Sequence, residues 1–418
     1  MNRTRLIAGA ASAALLAGGL VVAGSTPASA DTVDYAPYRI VSDKEKRFRS
    51  LIGIAVLPNG TTYVADSPGG SGWDSIWILG RDADGKRSPR RIYGDRTGLT
   101  RLDDVAVDDA GKIYALSGKQ VHVFARGASG NVAPVRSFTV QSTYPGALAV
   151  SRSGAVAVAG LEDVEVYAAG ATGSPTPQRV IGGPSLNFAG VVSVAFDSTG
   201  RLWVLDDFSR VLGFAPTANG DAIPTNTLEG GALEEWNLED VAVDRQDRVY
   251  VMQLRGPISS PSAGISVFRS GANREVPLRT LSGPRSLLAT APYGGIAVDA
   301  RGDILHSAVA RRQVFAYRTL FPTRPSAVRS VRVTGKTRAA KRTVRWVRPA
   351  NDGGRAFRSY KLVFRKGSKT LKTVTLKPNR RSYKVSTSKL RKGRLTVTVR
   401  SKTTVGWSPK VVKRFRVR

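Results

Sequence analysis

Hydrophobic and polar residues recur in one pattern along the first three quarters of the chain: an apolar strand, a polar turn, and a second apolar strand. The clearest copy is Glu239–Met252, which reads EDVAVDRQDRVYVM. Alternation with a period of two, and turns rich in Gly, Asn and Asp, favour β-strands over helices. Copies of the pattern begin at Gly53, Asp104, Ala147, Ser193, Asp240 and Gly295.

Each copy continues with further strand-like segments. A third apolar run follows the second strand, as in Ser75–Leu79, and in five copies a fourth run follows a proline. Proline at the start of an outermost strand is where its missing N–H costs least. Equivalent apolar positions, from Ile54 in the first copy to Ile296 in the last, recur every 43–55 residues. Four short strands with a period in the forties are typical of β-propeller blades, so the sequence predicts six blades.

The sixth copy lacks a fourth strand, because Tyr317 is followed almost directly by Phe321 and Pro322. The segment Ala36–Val41, at the other end of the repeat region, has the missing proline and apolar pattern. We therefore expect this N-terminal strand to complete the last blade, which closes the ring and removes its open edges.

The repeat resembles the NHL type of propeller repeat, whose blades carry a Gly-Ile-Ala-Val-Asp…Gly…Tyr-Val-Ala-Asp pattern. The resemblance extends from about Tyr38 to Tyr317, and Leu57 and Ser151 depart from it where the pattern has its turn aspartate. It implies that the first strand of each blade lines a central channel. It also implies that the loops before the first strand and after the second lie on one face, which is the usual ligand face of this family.

Acidic and aromatic residues fall in the loops that the resemblance assigns to this face. An aromatic ring beside carboxylates can stack on a sugar or hold a cation. The alternative is that the aspartates cap turns and the aromatic rings pack between blades. The candidate ligand-binding residues are Asp66, Trp73, Asp206, Asp207, Glu234, Glu235 and Trp236.

The resemblance also raises lactonase-like and lyase-like propellers, which use a channel metal or a histidine base. The chain has only two histidines, His122 and His306, and alignment of the copies places them in different strands of different blades. We expect both to be ordinary strand residues rather than ligands or bases. Calcium held by oxygen ligands alone is an alternative. No catalytic residue, metal ligand or other cofactor is assigned.

The first 30 residues have the features of a secretory signal peptide. A basic N-terminus precedes an apolar run from Leu6 to Ala23, and Ala28-Ser29-Ala30 forms a small-residue cleavage site. The mature chain is therefore expected to be secreted and to begin at Asp31. No later apolar run approaches the ~20 residues that span a bilayer. The absence of cysteine excludes disulfides, thiolate metal ligands and a thiol nucleophile.

The net charge of +33 is concentrated near the C-terminus. Residues 324–418 contain 31 of the 64 lysines and arginines but only one acidic residue, Asp352, which gives this stretch a charge of +30. The rest of the chain carries only +3. Such an asymmetry between two parts of a chain indicates two functions, one of them electrostatic.

The basic stretch resembles a fibronectin type III domain over its whole length. Trp346, Pro349, the Gly353-Gly354 pair and Tyr360 occur in the order and spacing of that family. The resemblance implies a seven-strand β-sandwich built around the tryptophan and the tyrosine. Leu395 stands where the family has its corner tyrosine, which predicts lower stability but the same fold.

Basic residues alternate with apolar ones along the predicted strands of this domain, so the bases point outward and the apolar side chains form the core. In the family's topology three of these strands share a sheet, which places their bases on one face. A merely solubilising surface is the alternative, although mixed charges serve that purpose with less self-repulsion. We expect the face to bind a polyanion in a salt-dependent way. Its residues are Lys361, Arg365, Arg394, Arg400, Arg414 and Arg416.

Together these patterns predict an all-β, exported protein with a signal peptide (1–30), an NHL-like propeller (31–322) and a basic fibronectin type III domain (323–418). The predicted function is non-enzymatic binding by a monomer. The propeller presents a surface to a protein or glycan, and the basic domain holds the protein at an anionic cell-wall polymer. Extracellular nucleic acid, bound without base-specific recognition, is the second candidate polyanion.

Two other functions fit the same sequence. One is a propeller hydrolase, lactonase-like or acting on polysaccharide and dependent on calcium, with the basic domain as an accessory module. The other is a structural wall protein without any soluble ligand. Calcium bound at the channel mouth would favour the hydrolase, whereas a channel lined by small apolar residues would favour the binding protein.

Overall fold

Strands account for nearly all of the regular structure. The computed structural model of the chain describes residues 31–43, 45–69, 74–85, 89–207, 210–229, 233, 237–255 and 262–418. These residues contain no α-helix. Their helices are all short 3-10 helices, and none is long and apolar enough to cross a membrane. The short 3-10 helices are Asp95–Thr97, Pro284–Ser286, Leu288–Thr290 and Thr387–Lys389.

The chain divides into two compact units. The first comprises the described residues up to Ala300 together with Leu305–Tyr317. The second comprises Arg301–Ile304 and Arg318–Arg418.

The first unit consists of six small sheets, numbered 1 to 6 in chain order, in which successive strands pair antiparallel. The N-terminal segment forms β1 (Asp31–Val33) and β2 (Arg39–Val41). Sheet 1 contains β3 (Leu51–Val56), β4 (Thr62–Asp66), β5 (Ser75–Leu79) and β6 (Arg90–Ile92). Sheet 2 contains β7 (Leu102–Val107), β8 (Ile113–Ser117), β9 (Gln120–Phe124) and β10 (Arg136–Thr139). Sheet 3 contains β11 (Ala147–Val150), β12 (Val156–Ala159), β13 (Val164–Tyr167) and β14 (Arg179–Ile181). Sheet 4 contains β15 (Val191–Phe196), β16 (Leu202–Asp206), β17 (Arg210–Phe214) and β18 (Asn226–Leu228). Sheet 5 contains β19 (Asn237–Val243), β20 (Val249–Arg255), β21 (Ser262–Phe268) and β22 (Arg279–Ser282). Sheet 6 contains β23 (Ile296–Val298), β24 (Ile304–Ala308) and β25 (Gln313–Tyr317).

The middle strands of these sheets are buried on both faces. Every residue of β4, β5 and β8 is buried, because the sheets pack against one another. Ile76 of sheet 1 and Ile113 of sheet 2, for example, belong to one apolar cluster. Strands covered on both faces read as nearly continuous apolar runs, which explains segments such as Ser-Ile-Trp-Ile-Leu in β5.

The first strands of the six sheets form a closed ring. In order, β3, β7, β11, β15, β19 and β23 each contact the next, and β23 contacts β3 again. The later strands of each sheet lie progressively farther from the ring, since each pairs with its predecessor in the chain. The arrangement is β-propeller-like.

The N-terminal segment completes two neighbouring sheets. Strand β2 pairs antiparallel with β25 of sheet 6, with Ile40 opposite Phe315, as the sequence pattern predicts. Strand β1 pairs parallel with β22 of sheet 5, with Thr32 opposite Thr280. Between these strands, the Asp34 carboxylate accepts a hydrogen bond of 3.1 Å from the Ser286 N–H. One short segment therefore joins sheets 5 and 6 at their outer edges.

The second unit contains a three-stranded and a four-stranded sheet around one core. Trp346 and Tyr360 lie in this core, both at most 3% exposed, with their ring centroids 5.4 Å apart. Leu395 is buried in the same cluster. The strands are β26 (Arg329–Thr334), β27 (Lys341–Val347), β28 (Ser359–Lys366), β29 (Lys369–Leu376), β30 (Ser382–Ser386), β31 (Gly393–Lys402) and β32 (Val411–Val417), in the orders β26-β27-β30 and β29-β28-β31-β32.

Candidate functional site

The ring of first strands encloses a cavity of about 470 Å³. Residues from all six sheets line this ring cavity. All but Val309, which follows β24, lie on the first strand of a sheet or in the loop before it. One equivalent position of the repeat, on the first strand of each sheet or, in sheet 6, directly before it, contributes to the lining. In chain order these residues are Gly53, Asp104, Ala147, Ser193, Asp240 and Gly295.

A β-bulge precedes this position in four of the sheets. The pairing register slips immediately before Gly53, Asp104, Ser193 and Asp240. A bulge bends its strand and redirects the side chain that follows. Two of the redirected side chains are carboxylates, and they belong to sheets 2 and 5, which are three steps apart in a ring of six.

Both carboxylates also bind the backbone of the next first strand. Asp104 accepts hydrogen bonds from its neighbour Val105 (2.7 Å) and from Leu148 of sheet 3 (2.9 Å). Asp240 accepts hydrogen bonds from the Ile296 N–H of sheet 6 (2.6 Å) and from the Ser193 hydroxyl of sheet 4. The two side chains therefore join adjacent sheets and also face the cavity.

Glycine allows these carboxylates to lie so close to the neighbouring strand. A Cβ atom at Gly53 would overlap the Asp104 Oδ1 atom, and one at Gly295 would lie 3.2 Å from the Asp240 Oδ2 atom. The two carboxylates thus each have a glycine in an adjacent sheet at the equivalent position of the ring.

The environment of the cavity disfavours negative charge on both groups. Burial, together with the nearby charge of Asp240, raises the pKa of the Asp104 carboxyl to about 8. Burial also raises the pKa of Asp240, whose hydrogen bonds from Ser193 and Ile296 limit the change, to about 6. Of these two groups, Asp104 therefore holds its proton to the higher pH.

Asp66, a predicted ligand-binding residue, lies inside its sheet. It is 2% exposed, and its oxygens accept hydrogen bonds from the Ser50 N–H (2.6 Å) and the Trp77 Nε1–H (2.8 Å). The Arg49 N–H lies 3.1 Å from the same carboxylate. These bonds fix the start of sheet 1, so Asp66 acts as a turn-capping residue, which is the alternative that the sequence left open.

Asp206 is placed in the same way in sheet 4. It is 1% exposed, and Arg210 donates to it from both its backbone N–H (3.1 Å) and its Nε atom (2.9 Å). Its neighbour Asp207 is exposed. The other predicted ligand-binding residues of this face, Trp73, Glu234, Glu235 and Trp236, lie outside the described residues.

Both histidines are strand residues that bond within the protein. The ring nitrogens of His306, on β24, lie 3.1 and 2.8 Å from the carbonyl oxygens of Gly295 and Ala291. His122, on β9, has its Nδ1 atom 2.8 Å from the Ser137 hydroxyl. Burial lowers the pKa of both imidazoles. Among the described residues, no three His, Asp or Glu side chains are grouped closely enough to hold a metal ion.

The strand register of the second unit brings the six predicted basic residues to one face of its four-stranded sheet. Lys361 lies directly opposite Arg400, and Arg394 lies directly opposite Arg416. Thr396 connects the remaining two, because it pairs with Arg365 on one side and with Arg414 on the other. We call these six residues the basic face.

In the sequence, Asp104 and Asp240 stand out only as the first residues of two copies of the repeat, and the pattern does not mark them as site residues. The bulge before each of them and their separation by three sheets become visible only in the folded ring. The recurrence of the position Gly53, Asp104, Ala147, Ser193, Asp240, Gly295 was a usable signal, since residues at one position of a cyclic repeat must share one environment.

Comparisons with known proteins give little beyond this geometry. No family model matches the chain, and no curated protein matches it. Among solved structures it is similar to an extracellular domain, assigned to a one-component system, from B. thetaiotaomicron, with a TM-score of 0.43 and 10% sequence identity. The alignment covers 92% of this chain and 58% of that chain, so the chain spans less than two thirds of its neighbour. A likeness at this level supports no conclusion about ligand or activity.

Proposed function

We propose that the protein is an exported, non-enzymatic binding protein with two functional parts. The first unit is a six-bladed, NHL-like propeller that presents a ligand or partner surface. The second is a fibronectin type III domain whose basic face holds the protein at an anionic polymer of the cell envelope. Export follows from the signal-peptide features of residues 1–30.

The ring topology supports the propeller part of this proposal. Six sheets of sequentially paired strands, with their first strands in closed contact, support a six-bladed propeller. The segment Asp31–Val41 then supplies the outer strand that the last blade lacks. For the second unit, two sheets of three and four strands packed on Trp346 support the fibronectin type III interpretation.

The observation that carries the anchoring function is the pairing of like charges across the basic face. Lysine or arginine lies directly opposite arginine at two positions, Lys361–Arg400 and Arg394–Arg416. The three-stranded sheet has one such pair, Arg332–Arg345, which the control variant described below reverses. Like charges in such cross-strand pairs destabilise a sheet. The stretch 324–418 offers a single acidic residue to offset 31 basic ones. Folding does not explain this arrangement, whereas binding of a repeating anion does, because it neutralises the face and releases counterions.

The ring cavity is the proposed ligand end of the propeller. Asp104 and Asp240 are the two carboxylic residues at the equivalent ring position, and the buried Asp66 and Asp206 do not line the cavity. The histidines give the hydrolase alternative no support, since the ring nitrogens of His306 and Nδ1 of His122 lie at hydrogen-bond distance from atoms within the sheets. The acidic lining of the cavity differs from the small apolar lining that would favour a binding protein, so a hydrolase would have to use these carboxyl groups.

Co-sedimentation of the mature chain with purified bacterial cell walls tests the anchoring function. The variant R394E/R414E/R416E reverses three charges of the basic face. The control R332E/R345E/K384E reverses three exposed charges on the three-stranded sheet. Both change the net charge equally.

At low salt the wild type and the control should sediment with the walls, and the basic-face variant should bind at least about tenfold more weakly. Equal losses in the two variants would show that binding depends on the total charge and not on the basic face, which would contradict the proposed binding site. Failure of the wild type to sediment would overturn the proposal.

A further inference from the structure

Trp407 lies beside the basic face and is surrounded by cations. Its side chain is half-buried. The Lys402 and Lys361 Nζ atoms lie 5.4 and 5.8 Å from the centroid of its ring, and the Arg400 Cζ atom lies 5.8 Å from it. All three are within the range of a cation–π interaction.

The backbone holds this cluster in place. Lys402 and Trp407 form an antiparallel bridge at the end of β31, and the Ser408 N–H donates to the Ser401 carbonyl at 2.9 Å. The Arg400 Nε–H donates to the Ser408 carbonyl at 2.8 Å, which fixes the guanidinium beside the indole. Lys361 is placed by its register opposite Arg400. The tryptophan and its cations therefore form a preorganised group rather than a chance meeting of long side chains.

The positive charge of this cluster is uncompensated. Among the described residues, no carboxylate lies within ion-pair distance of Lys361, Arg400 or Lys402. Three cations around one ring repel one another, and only the weak field of the indole offsets the repulsion. A ligand that supplies an anion to the cations and an apolar surface to the ring satisfies both parts of the cluster.

We propose that Trp407, Lys361, Arg400 and Lys402 form a subsite for one acidic sugar unit of an anionic glycan. The ring stacks on the C–H face of the sugar, and the three cations bind its phosphate or carboxylate. This inference rests on the proposed anchoring function and names the class of polymer that the basic face binds.

The surroundings favour a glycan over single-stranded nucleic acid. Nucleic-acid grooves of that kind present several aromatic side chains on which successive bases stack. On β28, β31 and β32 the outward positions near Trp407 carry Val363, Thr398 and Val412 instead. A single aromatic platform on a cationic face suits one sugar ring with its charge, while the remaining cations contact neighbouring anionic groups of the same polymer.

Binding of the mature chain to four polymers tests the subsite. Phosphorylated mannan and polygalacturonate are acidic glycans with phosphate or carboxylate, inorganic polyphosphate is an anion without sugar, and oligo(dT) is single-stranded DNA. Affinities are measured by titration calorimetry at low salt for the wild type, W407A, W407F and R416Q. The last removes a cation of the basic face on a different strand from the cluster.

We expect W407A to weaken binding of at least one acidic glycan by about tenfold and to leave polyphosphate binding within about twofold of the wild type. W407F should retain most of the glycan affinity, and R416Q should weaken all four polymers to similar extents. The glycan that responds identifies phosphate or carboxylate as the preferred anion. Unchanged polyphosphate binding by W407A also shows that the variant is folded.

Three results would overturn the subsite while leaving the anchoring function intact: no effect of W407A on either glycan, an equal loss for polyphosphate, or a larger loss for oligo(dT) than for the glycans. If the wild type binds none of the four polymers at low salt, the anchoring function itself fails.

Discussion

Asp104 and Asp240 are the residues of the ring whose ionisation couples most directly to folding. An aspartate carboxyl in an unfolded chain titrates near ~4. In the folded protein the pKa of Asp104 is raised to about 8 and that of Asp240 to about 6. The folded state therefore binds more protons than the unfolded state between the unfolded pKa near ~4 and these folded values. Stability is therefore greatest at low pH in this range and is lost as the pH rises through it.

Replacing Asp104 with Asn should remove most of this pH dependence. Between pH 5 and pH 9 the wild type should lose about 4 kcal/mol more than D104N, or roughly 8 °C in Tm, because one carboxyl keeps its proton over about three further pH units in the folded state. Thermal unfolding of the mature chain at pH 5, 7 and 9 measures the difference. The control is D82N, which alters an exposed carboxylate and should follow the wild-type profile. Parallel profiles for D104N and the wild type would show that Asp104 does not titrate in this range.

Asp66 gives a second prediction at the same scale. In D66A the Trp77 Nε1–H and the Ser50 N–H lose the acceptor that binds them in the fold. Leaving buried donors unsatisfied should lower the free energy of unfolding by about 2–4 kcal/mol. The matched control is D207A. Asp207 is exposed and follows Asp206, the residue of sheet 4 that is equivalent to Asp66, so its removal should change the free energy of unfolding by no more than about 0.5 kcal/mol. Chemical denaturation compares the two, and a D66A protein as stable as D207A would refute the capping role.

At the scale of elements, the segment Asp31–Val41 holds the ring closed. It contributes the fourth strand of sheet 6 and a parallel fifth strand of sheet 5. Without it, the N–H and C=O groups along the outer edge of β25 would be unpaired, and Phe315 would lose the strand that faces it.

A mature chain that begins at Ser42 should therefore show local opening of sheets 5 and 6. Hydrogen–deuterium exchange is expected to become at least about tenfold faster in Gln313–Tyr317 and Arg279–Ser282, whereas Leu202–Asp206 in sheet 4 serves as the internal control. Equal protection of these strands in the two proteins would contradict the role given to this segment.

The sequence was most informative about elements and least informative about side-chain direction. The alternation of apolar and polar residues located the first strands. The proline and apolar pattern of Ala36–Val41 located β2, because a propeller without an open edge requires that strand. Strand β1 was not predicted, since three residues carry too little pattern. Asp66 and Asp206 looked like loop acids, but nearby N–H groups draw both carboxylates into the sheet. The two ring carboxylates depended on bulges, which single-strand periodicity does not reveal.

At the scale of the whole molecule, the uneven distribution of charge is the feature that the proposed function must explain. The 95 residues from Arg324 to Arg418 carry +30, and all the rest carries +3. A face with directly opposed cations gains stability when an anionic polymer displaces its counterions. The proposed affinity is therefore mainly electrostatic, and Trp407 adds selectivity for the kind of polymer.

The salt dependence of wall binding tests this central claim most directly. If the six side chains of the basic face each contact an anionic group, the affinity of the mature chain for purified cell walls should fall by about a thousandfold between 50 and 200 mM salt. A plot of log affinity against log salt should be linear, with a shallower slope for R394E/R414E/R416E. An affinity that stays constant across this range would contradict electrostatic anchoring by the basic face.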